Sequence, residues 1–350
     1  MHKDLEDWLN KVWIDKDEIM AKSPTGHSGR GIHLGDKNPA IWAVYKIYSS
    51  SEDTSSAIPS FDEATVDAFI DDLDRLEKES NSEAVIQIGD DFVLLKRGEL
   101  AMIKSKPFQK TTLKEQRVVT LDVKQIGNCF VHFVKKDSGA TDRIYLNVHP
   151  VHLGRAFRRI YLLIQTEPFL ASAKVTGPVG EVRVDSIVIY LNDGQGIEPV
   201  VTKIRTYYVK NVNHFGAATP KLTAPVKGMP GVALGMQPPD ITVLRSGGSY
   251  YTAPAEAQSF GFYRASLIFM ALDRTRFKVS GQTDNDRADA FKRRAAKYFL
   301  AAGIDPDRPS EQSAPKNLKK LAELEYRIEG DLDDKGDFYK PGAKVHVKKK

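Results

Sequence analysis

One cysteine, Cys129, in 350 residues leaves no disulfide framework and no cysteine-rich metal site. Long apolar runs are missing as well. Nothing approaches the length of a membrane span, and residues 1–20 lack a signal-peptide core, so the expected compartment is the cytoplasm and no membrane partner is expected. Charge of one sign is scarce: 51 Lys and Arg stand against 46 Asp and Glu, and part of that excess sits in Lys344, Lys348, Lys349 and Lys350. So mild a balance permits acidic partners but does not single out nucleic acid, and none is expected. A nucleophile elbow is absent, which removes Ser-His-Asp hydrolysis. His27 and His33 are not spaced for a metal on any regular element, and Ser28, Gly29, Arg30 and Gly31 lack the lysine and spacing of a P-loop. No metal and no organic cofactor is therefore expected. What is present is an ordinary globular composition, 41% hydrophobic and 28% charged, long enough for one large domain or two ordinary ones.

Residues 142–191 form the densest run of structural signals. Arg143 to Val148 alternates, with Ile144, Leu146 and Val148 on one face and Arg143, Tyr145 and Asn147 on the other, the period of a half-buried strand. Pro150 suits a first helical turn, and Leu153, Phe157, Ile160, Tyr161 and Ile164 then recur at helical spacing. Residues 169–175 and 184–191 read as two further strands. Each of the first two strands sets a cation among apolar neighbours, Arg143 and Lys174, and Arg183 stands at the entrance to the third. A half-buried cation is costly unless it meets an anion. Two readings stay open: pairing with Asp142, Asp185 or Glu181, or convergence on an anionic substrate group such as a phosphate.

Around this unit, Leu5, Trp8, Leu9, Val12 and Trp13 predict a first helix, residues 23–38 a loop, and residues 41–48 a strand. A polar linker at 49–60 precedes a helix at 61–77. Strands are predicted at 84–88, 92–96, 101–105, 116–123 and 128–134. After 191, a helix at 197–210 leads into a Gly- and Pro-rich loop over 211–254, in which Gly248, Tyr250 and Tyr251 are candidates for a lid. Helices follow at 259–273, with Ser259 as N-cap, at 284–302 and at 317–328; residues 330–350 are expected to be partly disordered. Strands in series before a strand–helix–strand unit predict an α+β fold with a mixed, largely antiparallel sheet and packed helices. The expected organisation is an N-terminal helix, loop and first strand over 1–48, a core over 49–310, and a short helix with a basic tail over 311–350.

The stretches RIYLNV, AKVTGP, RVDSIVIYLN, PGVALG and SFGFYR, with the helix between the first two, resemble the Hop-A type III effector family of plant-pathogenic bacteria. The resemblance runs from about Trp42 to about Pro309. Close relatives of that family act as the phospho-Ser/Thr lyases of class V lanthipeptide biosynthesis, and the order also resembles the phosphothreonine lyases among the effectors. Those carry Lys-x-His on the strand before the helix and a second Lys on the next strand. Here the first position is Arg143-x-Tyr145, a departure, and the second is Lys174, which agrees.

Eliminating phosphate from phosphoserine or phosphothreonine needs a base for the Cα proton, stabilisation of an enolate-like charge, and cations for the departing phosphate. Arg143, Arg183 and Arg264, with Lys174, are the candidates for holding phosphate; the resemblance implies that role for Arg264. Arginine keeps its proton, so Arg143 cannot replace the lysine base of the effector lyases. Lys174 is the candidate base, since neighbouring cations and desolvation ease proton loss from an ammonium. Tyr145 or His149 would protonate the leaving phosphate. Each has a structural alternative: Tyr145 as a packed phenol, His149 as a helix cap, Asp185 as the orienter of an arginine, and His132 and His152 as structural residues. The resemblance thus implies a lyase forming dehydroalanine and dehydrobutyrine in a phosphorylated precursor peptide, working after a partner kinase. The alternative is a non-catalytic type III effector-like protein that binds a host target. The helix expected from residue 5 leaves no room before it for the disordered, Ser-rich segment that secretion requires, which favours the enzyme.

Overall fold

The computed structural model describes residues 1–15, 18–21, 32–33, 44–45, 47–48, 62–80, 82–89, 91–135, 140–179, 183–192, 194–238, 241–244, 250–253, 259–273 and 284–313. The expectations for the loop bearing His27 and Ser28–Gly31, the 49–60 linker, Gly248, the 317–328 helix and the 330–350 tail fall outside these residues. The chain divides into two compact units, Met1–Tyr48 with Pro238–Lys350, and Ser49–Gln237.

In the first unit, α1 (Lys3–Leu9) is followed by the antiparallel strands β1 (Val12–Asp15), β2 (Glu18–Ala21) and β3 (Ile32–His33). The helix is therefore shorter than the spacing of Val12 and Trp13 predicts: the Asn10 amide closes it on Glu6, and Val12 and Trp13 pair with Ala21 and Met20 instead. The predicted strand at 41–48 is also corrected. Val44, Tyr45, Ile47 and Tyr48 are helical, and all four are buried, a burial pattern that the alternation of a half-buried strand does not give. Trp8 Nε1 donates to the Val44 carbonyl at 3.1 Å, joining this piece to α1.

The second unit opens with α2 (Glu63–Glu79), capped by the Asp62 carboxylate and burying Val66, Phe69, Ile70 and Leu73. The hairpin β4 (Glu83–Ile88) and β5 (Asp91–Leu94) leads to α3 (Glu99–Ser105). Helix α3 replaces the strand predicted at 101–105. Gly98 enters it at φ +87°, the Glu99 carboxylate accepts from the Lys96 amide at 2.7 Å, and Leu100 and Ile103 bury at helical spacing. The hairpin β6 (Phe108–Thr111) and β7 (Val118–Leu121), the helix α4 (Val123–Asn128) and the strands β8 (Phe130–Val134) and β9 (Asp142–Leu146) follow. A short 3₁₀ turn at Pro150–His152 runs into α5 (Leu153–Ile164), and then come β10 (Leu170–Thr176), β11 (Ile187–Leu191) and α6 (Ile197–Tyr208). The expected long loop over 211–254 carries strands: β12 (Ala224–Pro225) and β13 (Val232–Met236) close this unit, and β14 (Ile241–Leu244) and β15 (Tyr250–Ala253) pair in the first. The first unit then adds α7 (Phe260–Asp273) and α8 (Asp284–Ala301). Ser259 caps α7, with its Oγ accepting from the Phe262 amide at 3.0 Å.

The second unit holds one eight-stranded sheet, β12-β13-β9-β11-β10-β8-β4-β5, in which every neighbour is antiparallel. With the packed helices this is the expected α+β class. Its register gives the sheet two chemically distinct faces. Ile144 and Leu146, Ile187 and Ile189, Ala173 and Val175, Val131 and Phe133, and Ala84 and Ile86 lie side by side across five strands and join the core, where Phe133 packs against Phe157 and Tyr161 of α5. The other face carries Arg143, Tyr145, Tyr190, Ser172, Lys174, His132 and Phe130. Gly177 is forced by backbone proximity: a Cβ there would stand 2.3 Å from the carbonyl oxygens of Ile126 and Gly127. Gly231, at φ +78°, sits where a Cβ would meet the Gly216 oxygen at 2.0 Å, so PGVALG needs glycine to enter β13.

Two buried polar groups anchor these units. Asp91 is fully buried and accepts amides from Phe92, Lys114 and Glu115 at 2.8, 2.9 and 3.0 Å, tying the β6–β7 hairpin to β5. Desolvation pushes its carboxyl upward, but hydrogen bonds from Thr112, Lys114, Phe92 and Glu115 outweigh it and hold the group well below the usual carboxylate range. A depressed folded value means that the unfolded chain binds more protons in acid. The contribution is complete above about pH 4 and is lost as pH falls through the lower folded value. Denaturant melts across pH 2–7 should show Asp91→Asn with a shallower acid loss of stability than the wild type; an unchanged slope would remove Asp91 from that role.

In the first unit Arg264 is wholly buried. Its Nε and Nη2 donate to the Pro309 carbonyl at 2.8 and 2.7 Å, and its Nη1 to the Phe260 carbonyl at 3.3 Å. Truncating a buried charged donor leaves the Pro309 oxygen without these partners, so Arg264→Ala should cost about 1–3 kcal/mol in equilibrium unfolding. A variant of wild-type stability with lost phosphopeptide affinity would instead assign the side chain to ligand.

Candidate functional site

The polar face of the sheet is built by strand register. Lys174 on β10 lies beside His132 on β8 and Val188 on β11, and Val188 lies beside Tyr145 on β9, so Tyr145, Lys174 and His132 share one row. Arg143 and Tyr190 pair in the row two residues along, on the same face. With about 4.8 Å between strands, the main chains of Tyr145 and Lys174 are about 10 Å apart, a span that two long side chains and a small anion can bridge.

Lys174 Nζ stands 4.1 Å from the centre of the Phe130 ring, and Arg183 Cζ stands 5.3 Å from the centre of the same ring, so both cations lie against one aromatic side chain. Their compensation differs. Arg183 makes a forked contact with Asp185, Nε and Nη2 donating to the two carboxylate oxygens at 2.8 and 3.0 Å. This is the structural pairing left open for Arg183 and the orienting role considered for Asp185. Among the described residues, Lys174 has no carboxylate within ion-pair distance. Arg143, 6% exposed, lies with its guanidinium carbon 5.0 Å from the centre of the Tyr190 ring, and Tyr145 is 2% exposed.

The local sequence explains this placement. β10 runs from Lys174 through Val175 and Thr176 into Gly177, whose amide donates to the Cys129 carbonyl at 2.7 Å. That turn brings the chain carrying Arg183 back alongside Phe130. On the far side, Asn147 holds the end of β9 against the 216–231 segment, its Nδ2 donating to Ala218 at 2.9 Å and its amide to Gly231 at 2.8 Å.

His132 and Phe130 belong to this group although sequence reasoning set His132 aside and did not consider Phe130. Burial pushes the His132 imidazole down to about 3, and the Lys174 charge beside it acts in the same direction, so the ring is neutral near pH 7. Its Nε2 lies 2.9 Å from Gln87 Oε1; a ring donating there keeps its lone pair on Nδ1. The alternation of Phe130, His132 and Val134 was visible, but not the strand that would lie beside it.

His149 takes its surroundings from elsewhere. Its amide donates to the His214 carbonyl at 2.9 Å, it precedes the 3₁₀ turn without a side-chain cap, and it sits among His152, His214 and Arg155 at the start of α5. The rings of His152 and His214 stack at 3.9 Å, and His214 Nδ1 lies 2.9 Å from the Tyr207 hydroxyl. Burial lowers the proton affinity of both imidazoles, reinforced by their neighbours. Arg264 belongs to the other compact unit and makes the carbonyl contacts given above. Among the described residues no group of three His, Cys, Asp or Glu is arranged to hold a metal ion, and no helix is long and apolar enough to cross a membrane.

The fold resembles two solved structures. One is the structure of the effector protein from Pseudomonas syringae pv. tomato strain DC3000, at 19% identity and a TM-score of 0.53 over 80% of this chain and 93% of that one. The other is the effector protein from Pseudomonas syringae pv. syringae strain 61, at 15% identity and a TM-score of 0.52 over 89% of this chain and 96% of that one. At such identities the likeness establishes the fold. No curated protein matches the sequence. The family model of the HopA1 effector protein family matches residues 130–310, from β8 through the sheet to the segment that Arg264 clamps. That match covers more than half of the sequence, and the chain belongs to the HopA1 effector protein family.

Proposed function

We propose that this chain is a phosphate-eliminating lyase that converts phosphoserine and phosphothreonine of a precursor peptide to dehydroalanine and dehydrobutyrine. The observation that carries the reading is Lys174: a half-buried ammonium shares the Phe130 ring with Arg183, and among the described residues Arg183 has a carboxylate beside it and Lys174 has none. A cation held this way favours an anion that arrives with the substrate.

In this reading Arg183, oriented by Asp185, and Arg143 hold the phosphate of the substrate. Lys174 first releases its proton to solvent; as the amine it takes the Cα proton and so returns to the ammonium, whose charge then faces the departing phosphate. The electron pair of that C–H bond becomes the Cα=Cβ double bond, the Cβ–O bond breaks, and phosphate departs with both electrons of that bond. Tyr145, in the same row as Lys174, supplies the proton that the leaving phosphate accepts. His149, grouped with His152 and His214, is the alternative donor. No metal or organic cofactor takes part, the expected supplier of substrate is a kinase, and the chemistry belongs in the cytoplasm.

A second reading is favoured by the family itself, whose name and solved relatives are effectors: a non-catalytic effector-like protein that binds a host target. The two separate on a panel of phosphoserine and phosphothreonine peptides, scored for released phosphate and for dehydro residues by mass spectrometry. The wild type should be active, and should stay active after chelation. Lys174→Ala should abolish turnover while phosphopeptide binding is less affected. Lys174→Arg, which keeps the charge but not the removable proton, should bind and not turn over. Arg183→Ala removes a charge-assisted contact worth about 2–4 kcal/mol and should lower the rate by about two to three decades. Near-normal activity of Lys174→Arg would remove Lys174 as base. A folded wild type that releases no phosphate from any peptide would leave the binding reading.

A further inference from the structure

At the far edge of the eight-stranded sheet, away from β9, two strand edges face each other without pairing. The Leu95 amide donates inward to the Ala84 carbonyl of β4 at 3.0 Å, so by the alternation of an antiparallel ladder the main-chain groups of Phe92 and Leu94 point outward. In the neighbouring hairpin the Thr112 amide donates to Arg117 across the β6–β7 ladder at 2.9 Å, which turns Gln109, Thr111 and Leu113 the other way, toward β5. The two edges touch once, where the Leu113 amide donates to the Phe92 carbonyl at 2.7 Å. No ladder continues from that contact, and β5 and β6 belong to different sheets. Between them lies a groove of about 490 Å³ lined by Leu94, Gln109, Lys110, Thr111, Leu113 and Val118.

An edge of this kind is normally protected. Here its apolar side chains stand in the open, with Leu94 41%, Leu113 55% and Val118 63% exposed. The surroundings are basic. Residues 96–124 carry eight Lys and Arg against three Asp and Glu, an excess of five that equals the excess of the entire chain. Lys104, Lys110 and Arg117 are compensated by Asp71, Glu99 and Glu115. Lys96, Lys106 and Lys114 are exposed and have no ion pair among the described residues. Asp91 accepts the Lys114 and Glu115 amides, so a buried anchor fixes the hairpin to β5 beside the groove.

We propose that this groove binds an extended acidic peptide segment of a partner protein by strand addition. Its main chain pairs with the outward groups of Leu94, Gln109 and Thr111, alternate apolar side chains seat on Leu94, Leu113 and Val118, and its carboxylates meet Lys96, Lys106 and Lys114. The surface is separate from the Lys174 group, and its occupancy does not depend on the elimination chemistry.

The test uses the full chain and a fluorescent, end-blocked peptide of alternating Glu and Val, with a Lys/Val peptide as charge-reversed control. Anisotropy should rise with the acidic peptide only, and the affinity should fall about tenfold or more between low and physiological salt. The Lys96→Glu/Lys114→Glu double variant should weaken it at least tenfold. The Leu113→Ser/Val118→Ser pair, on exposed positions, should do the same without altering the melting temperature. Hydrogen exchange should slow at the Leu94, Gln109 and Thr111 amides on binding. Equal binding of the Lys/Val peptide, or an acidic peptide indifferent to both double variants, would overturn the proposal. So would binding to phosphatidylserine vesicles without peptide binding, or a dimer in light scattering that both variants dissolve, since those outcomes assign the groove to a membrane surface or a second copy.

Discussion

The lateral register of β9, β11, β10 and β8 is the constraint on which the second unit depends. A slip of one residue in any of these strands would exchange its two faces, carrying Arg143 or Lys174 into the space occupied by α5 and turning Ile144 or Val175 out of the core. The register holds because one face is continuously apolar and meets the matching stripe of α5. Phe133 against Phe157 and Tyr161 is part of that contact. Burial of this face confines the cations to the opposite one, where nearby strands bring them into one neighbourhood.

The energetics of that neighbourhood are uneven. Contact between a cation and an aromatic ring is worth about 0.5–2 kcal/mol, whereas desolvating an ion costs several kcal/mol. For Arg183 the forked contact with Asp185 makes up the difference. Lys174 has Phe130 on one side and a neutral His132 on the other. A site that, among the described residues, lacks one negative charge is suited to a ligand that brings one, and this electrostatic incompleteness carries the functional reading more than any motif does.

Membership of the effector family and a shared fold at 15–19% identity do not themselves assign chemistry. Function resides in the side chains that a fold presents, and the strand position that resembles Lys-x-His in the phosphothreonine lyases holds Arg143 and Tyr145 here. An arginine in that place preserves a charge and removes a removable proton. The base must then come from elsewhere on the same face, which shifts the argument to β10.

Local chemistry in the sequence was enough to determine much of the second unit. Alternation over residues 143–148 and helical spacing from Leu153 to Ile164 act within a few residues, and the corresponding elements formed; in the first unit Ser259 as a cap did the same. Elements whose local signal was ambiguous were decided by packing. Residues 101–105 became helical under Gly98 and the Glu99 cap, Val44 to Tyr48 contributes four buried helical residues, and 232–236 left its loop to pair with β9. Which residues share a site was decided only by tertiary structure. Phe130 and His132 lie more than forty positions from Lys174 and become its neighbours through the β8–β10 ladder, Arg183 reaches the same ring through the close turn at Gly177, and Arg264 is committed to the Pro309 carbonyl forty-five residues away. Strand register and the destination of a buried guanidinium depend on free-energy terms between distant segments, and such terms leave no periodicity in the chain that encodes them.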